Sequence, residues 1–120
     1  MHNFVHIEIK VTDFDVAKKF YETIFHWKVQ LSTDMGNVAF YQIDEEGELV
    51  SGAFLLAEKI PEESSIMLYI NAKDITKKLD EIKSLGGQIV LPRTELPGGH
   101  GFIGRFRDPF GNLMGLWSEE

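Results

Sequence analysis

Asp108-Pro109-Phe110-Gly111-Asn112-Leu113-Met114-Gly115-Leu116-Trp117 is the stretch whose reading decides the fold. Its first half is turn chemistry. Pro109 pre-sets φ, and Gly111 or Asn112 tolerates positive φ. Its second half is a short apolar strand that ends in Trp117. Upstream of it, the chain repeats one pattern twice.

Residues 3–11 alternate with period two: Val5, Ile7, Ile9 and Val11 interleave with Phe4, His6, Glu8 and Lys10, which spells a strand. Thr12-Asp13 supplies a helix N-cap, and Phe14, Ala17, Phe20, Tyr21 and Ile24 form the apolar stripe of a helix running to about Phe25. Strands follow near 27–31, 37–43 and 49–56, separated by Asp34-Met35-Gly36-Asn37 and Asp44-Glu45-Glu46-Gly47. The pattern then restarts. A strand is expected over 65–71, with Ile66, Leu68 and Ile70 on one face. Asp74 caps a second helix with Ile75, Leu79, Ile82 and Leu85 as its stripe, and Gly86-Gly87 stops it. Strands follow near 88–91, 101–107 and 112–117. An offset of 61 carries Asp13 onto Asp74, Phe14 onto Ile75, Tyr21 onto Ile82 and Ile24 onto Leu85. The predicted fold is α+β: duplicated βαβββ modules forming a curved mixed sheet. Module one covers about 1–57, a connector 58–64, and module two about 65–120, within one domain over 1–120.

Bulk properties exclude several function classes. Net charge is −7, which argues against a nucleic-acid backbone as partner. No apolar run approaches the length of a membrane span, and no secretory signal is visible, so cytoplasmic residence is the expectation. Cysteine is absent, which removes disulfides, thiol nucleophiles and thiolate metal sites. The chain carries no nucleophile-elbow, P-loop or His-Glu-x-x-His motif. The carboxylate runs at Asp44-Glu45-Glu46 and Pro61-Glu62-Glu63 read as a solvated surface.

An Asp-Pro-x-Gly-Asn turn feeding a last strand, on a duplicated βαβββ chain, resembles the vicinal oxygen chelate superfamily of glyoxalases, bleomycin resistance proteins and extradiol dioxygenases. The resemblance covers the whole chain. It implies paired modules around a cup, with helices outside and the alternate strand residues facing in. It also implies a metal site with one ligand on the first strand and one on the last strand of each module. His6, seven residues before Asp13, matches the first position. The matching position in module two is Met67, and the last-strand positions are Gly52 to Phe54 and Gly115. One ligand of four survives, against about three that a catalytic site needs. A thioether suits hard or borderline divalent metals poorly. No cofactor is therefore expected. A divalent metal held by His6 with Glu8 and His100, or with a partner subunit, is the alternative.

Residues facing the cup are the candidate site. His6 and Glu8 project from one strand face, about 7 Å apart at ~3.4 Å rise per residue, and could flank a small ligand. If buried, Glu8 would have its pKa raised by desolvation and become a candidate general base. The plainer alternative is an exposed strand face, or a structural partner for Lys10, Arg105 or Arg107. Tyr41, Tyr69 and Trp117 are taken as cup-facing aromatics whose hydroxyl and indole N–H groups orient a polar ligand. Pro97-Gly98-Gly99-His100-Gly101 is a flexible loop at the cup mouth, and His100 a candidate proton shuttle. At His26-Trp27 relatives commonly carry Gly-Trp; a helix-ending residue often takes positive φ, which histidine accepts at modest cost, so His26 reads as a strained or alternative cap. The expected function is a glyoxalase-like, metal-free small-molecule-binding protein, a homodimer like its bleomycin-resistance kin. Its acid–base residues would be Glu8 and His100, its ligand-binding set His6, Glu8, Tyr41, Tyr69 and Trp117. A metal-dependent lyase, isomerase or dioxygenase with a displaced ligand set, and a scaffold that only uses the fold, remain as alternatives.

Overall fold

A computed structural model describes residues 6–45, 48–62 and 67–120. The sequence expectations at 3–5, at the Glu46-Gly47 turn and at Ser65-Ile66 fall outside those residues. The chain divides into two units, Met1–Ile60 and Pro61–Glu120. Element order is β1 (His6–Val11), α1 (Phe14–Phe25), β2 (Lys28–Leu31), β3 (Val38–Glu45), β4 (Glu48–Leu56), β5 (Tyr69–Asn71), α2 (Ile75–Ser84), β6 (Gln88–Glu95), β7 (Phe102–Arg107) and β8 (Leu113–Ser118), with a short 3-10 turn at Pro97–Gly99. The fold is α+β, as the duplicated pattern implies.

Each unit holds one mixed four-stranded sheet with the same topology. The first has order β1-β4-β3-β2, the second β5-β8-β7-β6. In both, the first and last strands run parallel and the remaining pairs antiparallel. A parallel neighbour needs a crossover of a dozen or more residues, and the helix with its following hairpin provides it.

Both helices start where the aspartates stand. Asp13 accepts from the Val16 N–H and Asp74 from the Lys77 N–H, each at 3.1 Å, so each carboxylate satisfies a backbone donor that the first turn leaves open. Helix α1 ends at His26, the one described non-glycine residue with positive φ (61°). Its N–H reaches the Glu22 and Tyr21 carbonyls. Histidine occupies this left-handed cap, a conformation glycine adopts most easily, at the modest cost expected of that region.

One side of each sheet packs on its helix. In unit one Ala17, Phe20, Tyr21 and Ile24 are buried with Ile9, Val11 and Phe54. Four rings close on one another: Tyr21 on Trp27 at 4.8 Å, Trp27 on Tyr41 at 4.7 Å, Tyr41 on Phe54 at 4.9 Å and Phe54 on Tyr21 at 5.1 Å. Each such pair adds about 0.5–1.5 kcal/mol beyond area burial. In unit two Ile75, Leu79 and Ile82 pack with Phe106, Met114 and Leu116.

Two elements differ from their sequence expectation. Strand β5 is three residues, Tyr69–Asn71, with Met67 and Leu68 preceding it outside the strand. Strand β6 runs four residues past its expected end and contains Pro92. It is an edge strand, and its pairing with β7 slips between Ile89 and Leu91 and again between Leu91 and Thr94. Proline is tolerated there because an edge strand leaves N–H groups unpaired.

The closing turn folds as its residues dictate. Gly111 takes φ +98°. Asp108, 3% exposed, accepts from the Phe110 N–H at 3.0 Å, the Asn112 N–H at 2.9 Å and the Asn112 amide at 2.9 Å. No helix among the described residues is long and apolar enough to cross a membrane.

Candidate functional site

Strand alternation leaves the side of each sheet opposite its helix open, and the chemistry-bearing residues sit there. In unit one that open face carries His6, Glu8 and Lys10 from β1, and Phe40 and Gln42 from β3. The His6 Nε2 lies 3.1 Å from the Glu8 Oε2, with 44% and 53% of the two side chains exposed. Of the two readings of Glu8, buried carboxylate or exposed strand face, the structure gives the second: Glu8 is exposed, with the His6 imidazole as its partner. A groove of about 520 Å³ opens beside this pair, walled by His6, Glu22, Lys28, Gln30, Phe40 and Gln42.

Tyr41 also borders that groove, but its ring is not on the open face. It is 3% exposed, stacked in the aromatic cluster, and its hydroxyl donates to the Ile7 carbonyl at 2.7 Å. The phenol reaches that carbonyl across Gly52, the residue paired with both Ile7 and Tyr41. The alternation expected to turn Tyr41 inward is thus corrected. Its one donor is consumed inside unit one.

Burial pushes the Tyr41 phenol well above its usual range. The sign is that of an acid whose ionised form the fold rejects. Stability is intact below the unfolded value near pH ~10 and declines as pH rises past it. Tyr41→Phe should flatten that alkaline decline while losing about 1 kcal/mol at neutral pH from the missing hydrogen bond. Melting curves of both proteins at neutral and alkaline pH check this. An equal alkaline decline in the variant would refute it.

Unit two carries a different set. Tyr69 from β5, Arg105 and Arg107 from β7 and Trp117 from β8 share its open face. The Tyr69 hydroxyl accepts from Arg105 Nε at 3.1 Å and Nη2 at 2.9 Å. Arg107 Nη1 donates to the Gly111 carbonyl at 2.8 Å. Trp117 is 37% exposed, but its indole N–H donates to the His100 carbonyl at 2.9 Å. His100 is exposed, and the described residues give its ring no hydrogen-bond partner.

Of the site residues expected from sequence, the structure thus brings His6 to Glu8 and Trp117 to the backbone of His100, and it keeps Tyr41 in the core. Three aromatic donors were expected to orient a ligand. Two donate internally, and the Tyr69 hydroxyl accepts from Arg105, with no acceptor for its own hydrogen among the described residues. Sequence reasoning missed the Tyr69–Arg105 couple. The available signal was Gly115, which pairs with both residues and leaves a slot between them.

The metal site implied by the resemblance can be tested on its donor atoms. His6 offers an imidazole. Met67, half-buried, offers a thioether. The open-face residue of the 52–54 stretch is Ala53, 1% exposed, which offers a methyl group. Gly115 offers nothing, and a Cβ added there would run into the Tyr69 ring. Among the described residues no three His, Cys, Asp or Glu side chains cluster as metal ligands. One usable ligand does not fit a resident divalent ion.

The family model for the Glyoxalase/Bleomycin resistance protein/Dioxygenase superfamily matches residues 3–116. Mycobacterium bovis and Mycobacterium tuberculosis each have a protein named "Putative glyoxylase CFP32" that is 28% identical over 114 residues. The match takes in 92% of this chain but 43% of theirs, so the chain spans less than half the length of these relatives. Among solved structures, the fosfomycin resistance protein FosX from Listeria monocytogenes superposes with a TM-score of 0.75 at 20% identity, over 98% of this chain and 93% of its own. A variant of that FosX, complexed with Mn(II) and 1S,2S-dihydroxypropylphosphonic acid, gives 0.78 at 19% identity, over 98% and 90%. A glyoxalase-related enzyme from Fulvimarina pelagi gives 0.76 at 19% identity, over 98% and 88%.

Proposed function

The chain belongs to the Glyoxalase/Bleomycin resistance protein/Dioxygenase superfamily, and from that premise we propose that it binds a small organic molecule on the open faces of its sheets without a resident divalent metal. One observation carries the reading. Where the family's ligand pattern would fall, the chain presents His6, Met67, Ala53 and Gly115, and the last slot is covered by the Tyr69 ring. The open faces nonetheless keep the mixture a small-molecule site needs, half-exposed rings beside a few placed polar groups. The ligand-binding residues of this proposal are His6 and Glu8 on the unit-one sheet, under which Tyr41 packs, and Tyr69 and Trp117 on the unit-two sheet. Glu8, with His6 at 3.1 Å, is the pair suited to proton transfer. His100 offers a second imidazole on the unit-two loop. The assembly in this proposal is a homodimer of twice the 13.7 kDa chain mass.

A thermal-shift screen of small organic molecules on the wild type and on Glu8→Ala, with mass read by light scattering, tests the proposal. A ligand at 100 times its Kd stabilises by about 2.7 kcal/mol, a rise on the order of 10 °C at this size. The same ligand should act weakly on Glu8→Ala, and Ni²⁺, Zn²⁺ or Mn²⁺ should leave the melting temperature unchanged. A wild type that no organic molecule stabilises, or that a divalent ion stabilises at equimolar addition, would overturn it.

A further inference from the structure

Unit two holds a fixed organic cation beside the slot where the family pattern would place a metal-binding carboxylate. Three residues lie side by side across its open face: Tyr69 on β5, Gly115 on β8 and Arg105 on β7. Gly115 is the partner of both. Because it has no side chain, the Tyr69 ring lies flat over the strand and its oxygen reaches the guanidinium. A Cβ at 115 would occupy the space of the ring's Cδ1 and Cε1. The absence of a carboxylate at 115 and the presence of the tyrosine–arginine couple are therefore one structural fact.

The couple is built to receive negative charge. Arg105 is half-buried, and among the described residues no carboxylate pairs with it. Its Nε and Nη2 both donate to a phenol oxygen, which carries no counter-charge, so among the described residues its charge has no anionic partner. That is a pronounced feature in a chain of net charge −7. The phenol oxygen accepts both bonds, so its own hydrogen is directed elsewhere, and no described group accepts it. The guanidinium retains further N–H donors, whose planar fork matches the oxygens of a carboxylate or a phosphonate. Arg107 adds a second positive charge about 7 Å along the same strand face, held in place by the Gly111 carbonyl. Tyr69 and Trp117, 42% and 37% exposed, supply flat apolar surface on the same face.

We propose that Tyr69, Arg105 and the space opened by Gly115 form an anion seat that binds the carboxylate or phosphonate group of a small organic molecule, the guanidinium supplying positive charge to the ligand. This rests on the binding reading above and names its ligand class. The rings beside the seat favour an aromatic or otherwise flat body behind the anionic group.

The probes are benzoate, phenylphosphonate and the neutral benzamide, titrated into ¹⁵N-labelled full chain while the Arg105 Nε–H resonance is followed. At least one of the two anions should move that resonance saturably, and the pair of affinities tells which head group the seat prefers. Benzamide should bind at least about tenfold more weakly, as expected when a charge-assisted pair is lost. Arg105→Gln should weaken the preferred anion by at least about tenfold, and Tyr69→Phe by a smaller factor. Gly115→Ala keeps both functional groups but displaces the ring, and should also weaken the anion. Because Tyr69 is exposed, that variant should remain folded, and it decides the matter should Arg105→Gln fail to fold. Failure of both anions to move the resonance, benzamide binding within about twofold of benzoate, or unchanged anion affinity in Arg105→Gln or Gly115→Ala would each overturn the proposal. If the anions fail while a neutral molecule still stabilises the chain in the thermal screen, the seat falls and the binding reading stands. If nothing stabilises the chain, both fall.

Discussion

Gly52→Ala should destabilise the chain by about 3–5 kcal/mol, the sum of an overpacking cost and a broken buried hydrogen bond. At this size that is a fall of about 10–20 °C in melting temperature. Gly52 is buried on β4, and β1 pairs with β4 at this residue. A Cβ there would meet the Ile7 carbonyl oxygen and the hydroxyl and ring of Tyr41. The first of these is backbone and cannot swing aside. To admit a methyl group, the parallel pair must separate or Tyr41 must leave the Ile7 carbonyl. Either movement disturbs the ring of Tyr21, Trp27, Tyr41 and Phe54 that fills unit one. Urea unfolding of Gly52→Ala, Tyr41→Phe and the double variant reads the mechanism. Both single changes break the Tyr41–Ile7 bond, so their costs should overlap and the double variant should lose less than their sum. A Gly52→Ala protein within about 1 kcal/mol of wild type would show that the contact relaxes freely.

The same glycine explains where sequence reading stopped. Period-two alternation on β1 sorts Ile9 and Val11 to the core and His6, Glu8 and Lys10 to the open face, because residue type and position agree. On β3 they disagree. Phe40 is 44% exposed while Tyr41, one residue on, is 3% exposed. A phenol would ordinarily be read as the residue nearer solvent, and it goes inside because Gly52 leaves it a slot and Ile7 an acceptor. Helix caps are local properties, written in residues a few positions apart, and the duplication is legible because those local patterns recur at an offset of 61. The Tyr69–Arg105 couple joins residues 36 positions apart through a third, and which side chain crosses a glycine follows from strand register, not spacing. The site was legible as a set of faces. Its pairings needed coordinates.

The closing turn is the opposite case, because its chemistry is entirely local, and it yields the second large expectation. Asp108→Ala should destabilise the chain by about 3 kcal/mol or more. The Asp108 carboxylate is nearly sealed from water and accepts hydrogen bonds from, among others, the Phe110 N–H, the Asn112 N–H and the Asn112 side-chain amide. The backbone closes the same loop, Asp108 N–H to the Asn112 carbonyl at 2.9 Å and Gly111 N–H to the Asp108 carbonyl at 3.0 Å. Removing the carboxylate strands three donors at once. Each stranded group costs about 1–3 kcal/mol where water cannot replace the lost acceptor, and bonds to an ionised acceptor lie at the strong end. Phe110 and Asn112 are half-buried, so water recovers part of the loss and the lower end of the sum applies. Asp108→Asn separates shape from charge. It keeps one oxygen for the two backbone N–H groups but sets an amide donor against the Asn112 amide donor, so it should cost less than Asp108→Ala and more than nothing. The loss should also spread beyond the turn. Strand β8 begins one residue after Asn112 and pairs with both β5 and β7, so a loosened turn frees the strand that carries Gly115. Hydrogen exchange should therefore show faster opening at the β8 amides in Asp108→Ala, with α1 and the unit-one sheet retaining their protection in excess of any global destabilisation. A variant that melts within about 1 kcal/mol of wild type would mean that the three donors find other partners and that the turn does not hold the last strand in place.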